Sequence, residues 1–161
     1  MNRSTIRVRP ATPADEQAVP RIEAAATKQL RAVYAPTDRT RRRAGQAAPS
    51  LVRLVAEDES GVVGTVRFRT ESDRLHLVGL MVDPAHQGQG VGRALVEDAV
   101  ERARGLGLGR VTLFTVAETG NEAIFVRMGF TTVDRTPAAG LIGVDGKKLH
   151  ELQMQREVGG L

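Results

Sequence analysis

The sequence predicts an α/β (α+β) domain: a mixed central sheet of about seven strands, with four helices packed on it. Three observations carry this. Short runs with period-two alternation, such as Thr5–Arg9 and Val62–Arg69, interleave with stretches of helical period. A chain of 161 residues fits one domain with a substantial core. No internal repeat or interdomain linker divides it, so residues 1–161 read as a single unit. With aromatics at 3%, the core must rest on Val, Leu, Ile and Ala.

In the first strand, Thr5–Arg9, Ile6 and Val8 share one face and Arg7 and Arg9 the other. Thr12-Pro13-Ala14-Asp15 reads as a helix start, with Thr12 as cap, Pro13 at the first helical position and Asp15 at the positive dipole end. The stripe Ala18, Val19, Ile22, Ala25, Ala26, Leu30, Val33 continues it, and Pro20 should kink the helix or delay its start. Between Pro36 and Pro49 an Arg- and Ala-rich stretch holds room for a second short helix. Leu51–Glu57 is a strand, Asp58-Glu59-Ser60-Gly61 is turn chemistry, and Val62–Arg69 returns as its partner. Thr70–Asp73 makes another turn before the strand Leu75–Val82. Val91, Leu95, Ala99, Arg102, Ala103 and Leu106 mark an amphipathic helix that Gly105 and Gly107 end. Then come a strand, Arg110–Val116; a short helix, Thr119–Met128; and two last strands, Thr131–Asp134 and Leu149–Arg156. A small-residue loop, Pro137–Gly146, separates those two strands.

The run Gln87-Gly88-Gln89-Gly90-Val91-Gly92-Arg93 sits between a strand and a helix. Its glycines let backbone N–H groups approach a ligand without hindrance from Cβ. The helix behind it aims its free donors and positive dipole end at the same point, which suits a phosphate or diphosphate. A P-loop would need Lys and then Ser or Thr after its last glycine, but Arg93-Ala94 follows Gly92. A dinucleotide fingerprint needs different glycine spacing and an acidic residue about 20 positions on, where Gly107–Leu113 has none.

The remaining pattern, Gln/Arg-x-x-Gly-x-Gly/Ala, is matched by Gln87, Gly90 and Gly92, and it resembles the acyl-CoA diphosphate loop of the GNAT superfamily of N-acetyltransferases. Leu80-Met81-Val82-Asp83-Pro84 resembles the end of that family's fourth strand, and Gly129-Phe130 the pair that ends its fourth helix. The resemblance spans residues 75–134 and implies a GNAT-like mixed sheet. It also implies transfer of an acetyl group from acetyl-CoA, as co-substrate, to a primary amine by direct attack in a ternary complex. The acceptor would be a small-molecule amine or a peptide or protein amine.

The same resemblance implies a cofactor-binding set. Backbone of Leu80, Met81 and Val82 would pair with the pantetheine arm. Backbone N–H groups of Gln87, Gly88, Gln89, Gly90, Val91, Gly92 and Arg93 would hold the diphosphate. Asn121 would reach the pantetheine amide, or else cap its helix. Phe125 stands where the family has a tyrosine that protonates the departing thiolate, and it has no hydroxyl. Tyr34, the only tyrosine, would have to swing in from the N-terminal region to replace it. For a general base, His76 is the candidate by intrinsic pKa, against a plain sheet-face histidine. Glu118, just beyond the strand Arg110–Val116, could act through water. A non-catalytic acyl-CoA-binding or sensing module is the rival reading, and turnover separates the two.

No cysteine is present, which excludes disulfides, thiol nucleophiles and Cys-based zinc sites, and the three histidines show no metal-ligand spacing, so no metal is expected. No apolar run reaches the roughly 18 residues of a membrane span, and Met1–Pro10 has no apolar signal region, so the expectation is a cytoplasmic protein away from membranes. The net charge of +4 raises nucleic acid as a partner. The cluster Arg39, Arg41, Arg42, Arg43 lacks interleaved aromatics, and an anionic co-substrate accounts for the charge as well. A homodimer is compatible with the resemblance but has no marker of its own in the sequence.

Overall fold

The computed structural model of the chain describes residues 5–37 and 50–159. In chain order the elements are β1 (Arg7–Pro10), α1 (Ala18–Leu30), β2 (Tyr34–Pro36), β3 (Val52–Asp58), β4 (Gly61–Glu71), β5 (Arg74–Val82), α2 (Val91–Gly105), β6 (Arg110–Val116), α3 (Asn121–Arg127), β7 (Thr131–Pro137), β8 (Leu141–Gly143) and β9 (His150–Glu157). Seven strands form one sheet in the order β1-β3-β4-β5-β6-β9-β7, and β2 and β8 form a separate pair. Only β5 and β6 run parallel; the other pairings are antiparallel.

The mixed sheet agrees with the sequence reading, but the expected loop Pro137–Gly146 instead holds the end of β7 and β8, β2 was not expected, and three further details differ. Among the described residues there are three α-helices, not four; the helix expected between Pro36 and Pro49 lies outside them. Thr12–Asp15 starts a single 3-10 turn, Pro13–Asp15, and α1 begins only at Ala18, with Pro20 in its first turn. A proline there lacks an N–H that the first turn does not use, so it delays the helix and does not kink it. The turn expected over Thr70–Asp73 is tighter, because pairing runs on through Thr70 opposite Leu75 and Glu71 opposite Arg74.

Strand alternation divides the sheet into two faces. Leu54, Val66, Phe68, Leu75, Leu77, Val111, Leu113, Leu152 and Met154 point to one face and pack against Val91, Leu95, Ala99 and Ala103 of α2. α1 lies on the other face through Val19, Ile22 and Ala26, and Glu23 reaches Arg53 of β3 at 3.6 Å. Arg9 clamps the first turn to the sheet: it binds both oxygens of Asp15 at 2.9 Å and reaches Glu57 at 3.2 Å. Those bonds from Arg9 hold the Asp15 carboxyl at a pKa of about 2, against its desolvation.

Gly64 on β4 sets how closely α2 approaches. A Cβ there would stand 2.6 Å from Val91 Cγ1, 3.2 Å from Leu95 Cδ1 and 3.3 Å from the Met81 carbonyl oxygen. Val91 and Leu95 are fully packed and have nowhere to retreat. Gly64→Ala should therefore destabilise the fold by about 1–3 kcal/mol, the usual cost of overpacking. Denaturant unfolding checks this; an unchanged midpoint would mean that α2 shifts freely on the sheet.

Candidate active site

The site begins where two strands part. β5 and β6 pair only through Arg74–His76 and Arg110–Thr112. Beyond His76, β5 carries a bulge: Arg67 faces Val78 and Thr65 faces Met81, so two residues, Gly79 and Leu80, stand opposite Val66 alone. Gly79 has φ +65°, a conformation that side chains rarely adopt. The bulge bends β5 away from its parallel neighbour and leaves the backbone of Leu77–Val82 unpaired on that side.

A cavity of about 800 Å³ opens along this gap. Leu80–Val82 form one wall, Gln87, Gly88 and Gly90–Arg93 the mouth, and Leu30 of α1 with Asn121, Phe125 and Arg127 of α3 the remainder. Gly88 and Gly90 have φ +77° and +87°, and no protein atom lies within 4 Å of a Cβ built on either. Gly90 caps α2, and the first helical bond runs from the Ala94 N–H to the Gly90 oxygen at 3.0 Å. The N–H groups of Val91, Gly92 and Arg93 precede that bond and face outward at the positive end of the dipole. The Gln87 Nε2 donates to Gln29 Oε1 at 2.9 Å and ties the loop to α1. With Arg93 and Arg127 beside it, this mouth fits a diphosphate.

A second cavity, about 310 Å³, adjoins the first. Leu30, Leu80, Met81, Thr119, Asn121 and Phe125 belong to both. Its own walls include Tyr34 of β2, Phe114 of β6, Leu141 of β8 and Glu151 of β9. Phe125 therefore stands at the junction, edge-on to Phe130 with ring centres 5.9 Å apart.

Of the strand and loop residues that the sequence nominates for cofactor contact, Gln89 alone is absent from the first cavity's wall. Asn121 lines both cavities as the first residue of α3; Gly120, with φ +79°, caps that helix instead. His76 and Glu118 line neither cavity. His76 is 3% exposed, its Nδ1 lies 2.8 Å from Thr112 Oγ1, and its ring meets Phe114 edge-on at 5.0 Å. Burial, with Arg69 and Arg74 nearby, pushes its pKa down to about 4. The Glu118 carboxylate is turned to His150, accepting from its backbone N–H at 2.6 Å, with the other oxygen 3.1 Å from Nδ1. Desolvation opposes its ionisation, but the His150 bonds prevail and keep its pKa below the usual value.

The sequence reading missed Gly79, Tyr34 as a wall residue, and Glu151. A glycine inside a strand signals a bulge. Glu151 alternates with the inward Leu152, so its outward direction was legible, though not what it faces.

A comparison with known families decides the affiliation: the acetyltransferase (GNAT) family profile matches residues 19–130. The chain belongs to the acetyltransferase (GNAT) family. This GNAT domain is similar to the mycothiol acetyltransferase of Beutenbergia cavernae, 34% identical over 90 residues that make up 53% of this chain and 30% of that protein. The chain thus spans less than a third of that relative's length. Among solved structures, the ribosomal-protein-S18-alanine N-acetyltransferase of Escherichia coli superposes with a TM-score of 0.74 at 18% identity, covering 98% of this chain and 96% of that one. A phosphinothricin acetyltransferase from Sinorhizobium meliloti, solved with AcCoA, gives 0.69 at 23% identity over 96% and 89%. At these identities the superpositions establish the fold. No helix among the described residues is long and apolar enough to cross a membrane.

The lowered pKa of His76 has a consequence for the stability of this GNAT domain. The unfolded chain takes up the proton near 6.5, the folded one only near 4. Folding therefore loses stability as pH falls through that window, and His76 gives no stabilising protonation above it. His76→Asn should lower Tm at pH 7, through the lost Thr112 and Phe114 contacts, and flatten the acid decline. Thermal melts from pH 7 to pH 4 test it; identical slopes in both proteins would show that His76 titrates normally.

Proposed function

We propose that the domain transfers an acetyl group from acetyl-CoA to a primary amine by direct attack in a ternary complex. The observation that supports this reading is a pair of adjoining cavities, one lined by the glycine loop and the start of α2, the other by β2, β6, β8 and β9, which share Leu80, Met81, Asn121 and Phe125 as wall residues. The loop amides and the α2 terminus would bind the CoA diphosphate, with Arg93 and Arg127 as counter-charges. The pantetheine arm would add to β5 along Leu80–Val82, whose backbone lacks a partner on the β6 side. An N–H of Met81 or Val82 would polarise the thioester carbonyl.

Phe125 donates no proton, and CoA thiolate is a good enough leaving group to need no dedicated acid on α3. Tyr34 faces the second cavity with its phenol pKa raised by burial against the opposing pull of Arg31, so it carries its proton at neutral pH. For the amine's proton we look to the cavity walls and not to His76 or Glu118. Among the similar proteins, the ribosomal-protein-S18-alanine N-acetyltransferase acts on a protein alanine.

Gly90→Val tests the binding step. The position requires φ +87° and has open space around it, so valine would strain the loop and block backbone approach without clashing with the protein. Acetyl-CoA affinity should fall about tenfold or more, with a cooperative melt retained. Calorimetry on the folded variant is the measurement, and unchanged affinity would remove the loop from the site. A thiol-release assay with acetyl-CoA and amines tests the transfer step; tight binding with no CoA released by any amine or peptide would leave a binding module.

A further inference from the structure

We propose that the second cavity is the acceptor subsite and selects a primary amine carried on an apolar body, with Glu151 as the partner of its ammonium group. This rests on the acetyl-transfer reading above and adds the class of acceptor to it.

The walls are largely hydrophobic: Leu77, Leu113, Phe114 and Leu141 line it, and the cavity is at the small end of the range for small-molecule sites. Glu151 is the only charged side chain among the described wall residues. It stands opposite Val116 in the β6–β9 register, on the same face as Phe114. Its carboxylate is half-buried and has no ion-pair or hydrogen-bond partner among the described residues. Other glutamates of the sheet and α2 are engaged: Glu57 by Arg9, Glu71 by Arg69 and Arg74, Glu97 by Arg156 and Glu118 by His150. A carboxylate facing an apolar cavity without a partner is costly, and a ligand cation relieves that cost.

A single carboxylate among apolar walls matches one ammonium on a hydrocarbon stem. A polyamine would bury further charges with no second carboxylate among the described wall residues to meet them, and a zwitterionic or acidic amine would bring a carboxylate to described walls that hold no guanidinium. Arg67 lies next to the wall residue Gly79, its Nη2 3.3 Å from where a Cβ would stand, but is not itself a wall residue.

The chemistry balances with these groups alone. Glu151 takes one proton from the ammonium, leaving a neutral amine. The nitrogen attacks the thioester carbon, the C–N bond forms and the C–S bond breaks. The thiolate carries away the electron pair and receives the second nitrogen proton, so that amide and CoA thiol are released.

The test uses the full chain with acetyl-CoA and three acceptors: phenethylamine, spermidine and glutamate. Phenethylamine should show kcat/KM about tenfold or more above the other two. Glu151→Gln should lower kcat/KM for phenethylamine by about tenfold or more. Acetyl-CoA affinity by calorimetry should stay within about twofold, because Glu151 does not line the first cavity. Preference for spermidine or glutamate, no turnover of phenethylamine, or full activity in Glu151→Gln would each overturn the proposal. The acetyl-transfer reading would survive a reversed preference and would fall only if acetyl-CoA did not bind or no amine released CoA.

Discussion

The parting of β5 from β6 is the constraint on which the site depends. A strand inside a sheet ordinarily satisfies its backbone on both sides. β5 does so on the β4 side nearly to its end, with Gly64 opposite Val82 and the Asp83 N–H bonded to the Val63 oxygen at 2.8 Å. On the β6 side the ladder stops after three residues. The result is an edge in the middle of a sheet, held rigid from one side and open on the other. An open edge is a place for another extended chain to pair. Here it lies near a helix N-terminus and two arginines, which is why the proposed function places the extended arm of an anionic ligand there.

That edge is useful only if the helix terminus is fixed relative to it. Two tight contacts do this. Gly64 lets Val91 and Leu95 press onto β4, which sets the start of α2 against the end of β5. At the far wall, Arg156 joins the Met128 carbonyl at 2.9 Å to Glu97 of α2 at 2.7 Å. Gly129, at φ +93°, leaves room for that guanidinium, and Phe130 then turns inward to pack on Phe125. The Gly-Phe pair read in the sequence thus has a local cause: a left-handed turn that passes an arginine and buries an aromatic ring.

How far the sequence could be read follows from which forces act locally. The α2 stripe, the glycine loop and β6 were legible because period, caps and glycine chemistry are properties of short segments. β2 and β8 were not, since three residues each show no alternation and their pairing joins Tyr34 to Gly143 across the chain. That pair carries Tyr34 and Leu141 to the second cavity, so part of that cavity's wall was hidden with it. His76 illustrates a different limit. Its intrinsic pKa drew it forward as a base, but a sequence does not state burial, and burial beside Arg69 and Arg74 brings the pKa to about 4. Glu151 was passed over for the opposite reason, as one acidic residue in a polar-looking strand end, although alternation with Leu152 and Met154 fixes its face.

Charge distinguishes the two cavities. Many of the chain's cations are spent on structure: Arg9, Arg74, Arg102, Arg110 and Arg156 each hold a carboxylate. Arg93 and Arg127 stay at the glycine-loop mouth, where Arg93 reaches the Arg127 carbonyl at 3.1 Å and so sits over the negative end of α3. At the other end stands Glu151. Between them, Leu80, Met81 and Phe125 are uncharged. In the proposed reading a polyanionic donor and a cationic acceptor would be drawn to opposite ends of the paired cavities, and the reacting groups would meet between them. The shared wall also carries Thr119 and Asn121, so the junction offers hydrogen-bonding groups without a formal charge. A single parted strand pair would thus supply, in the proposed reading, both an edge for the donor and part of the wall for the acceptor.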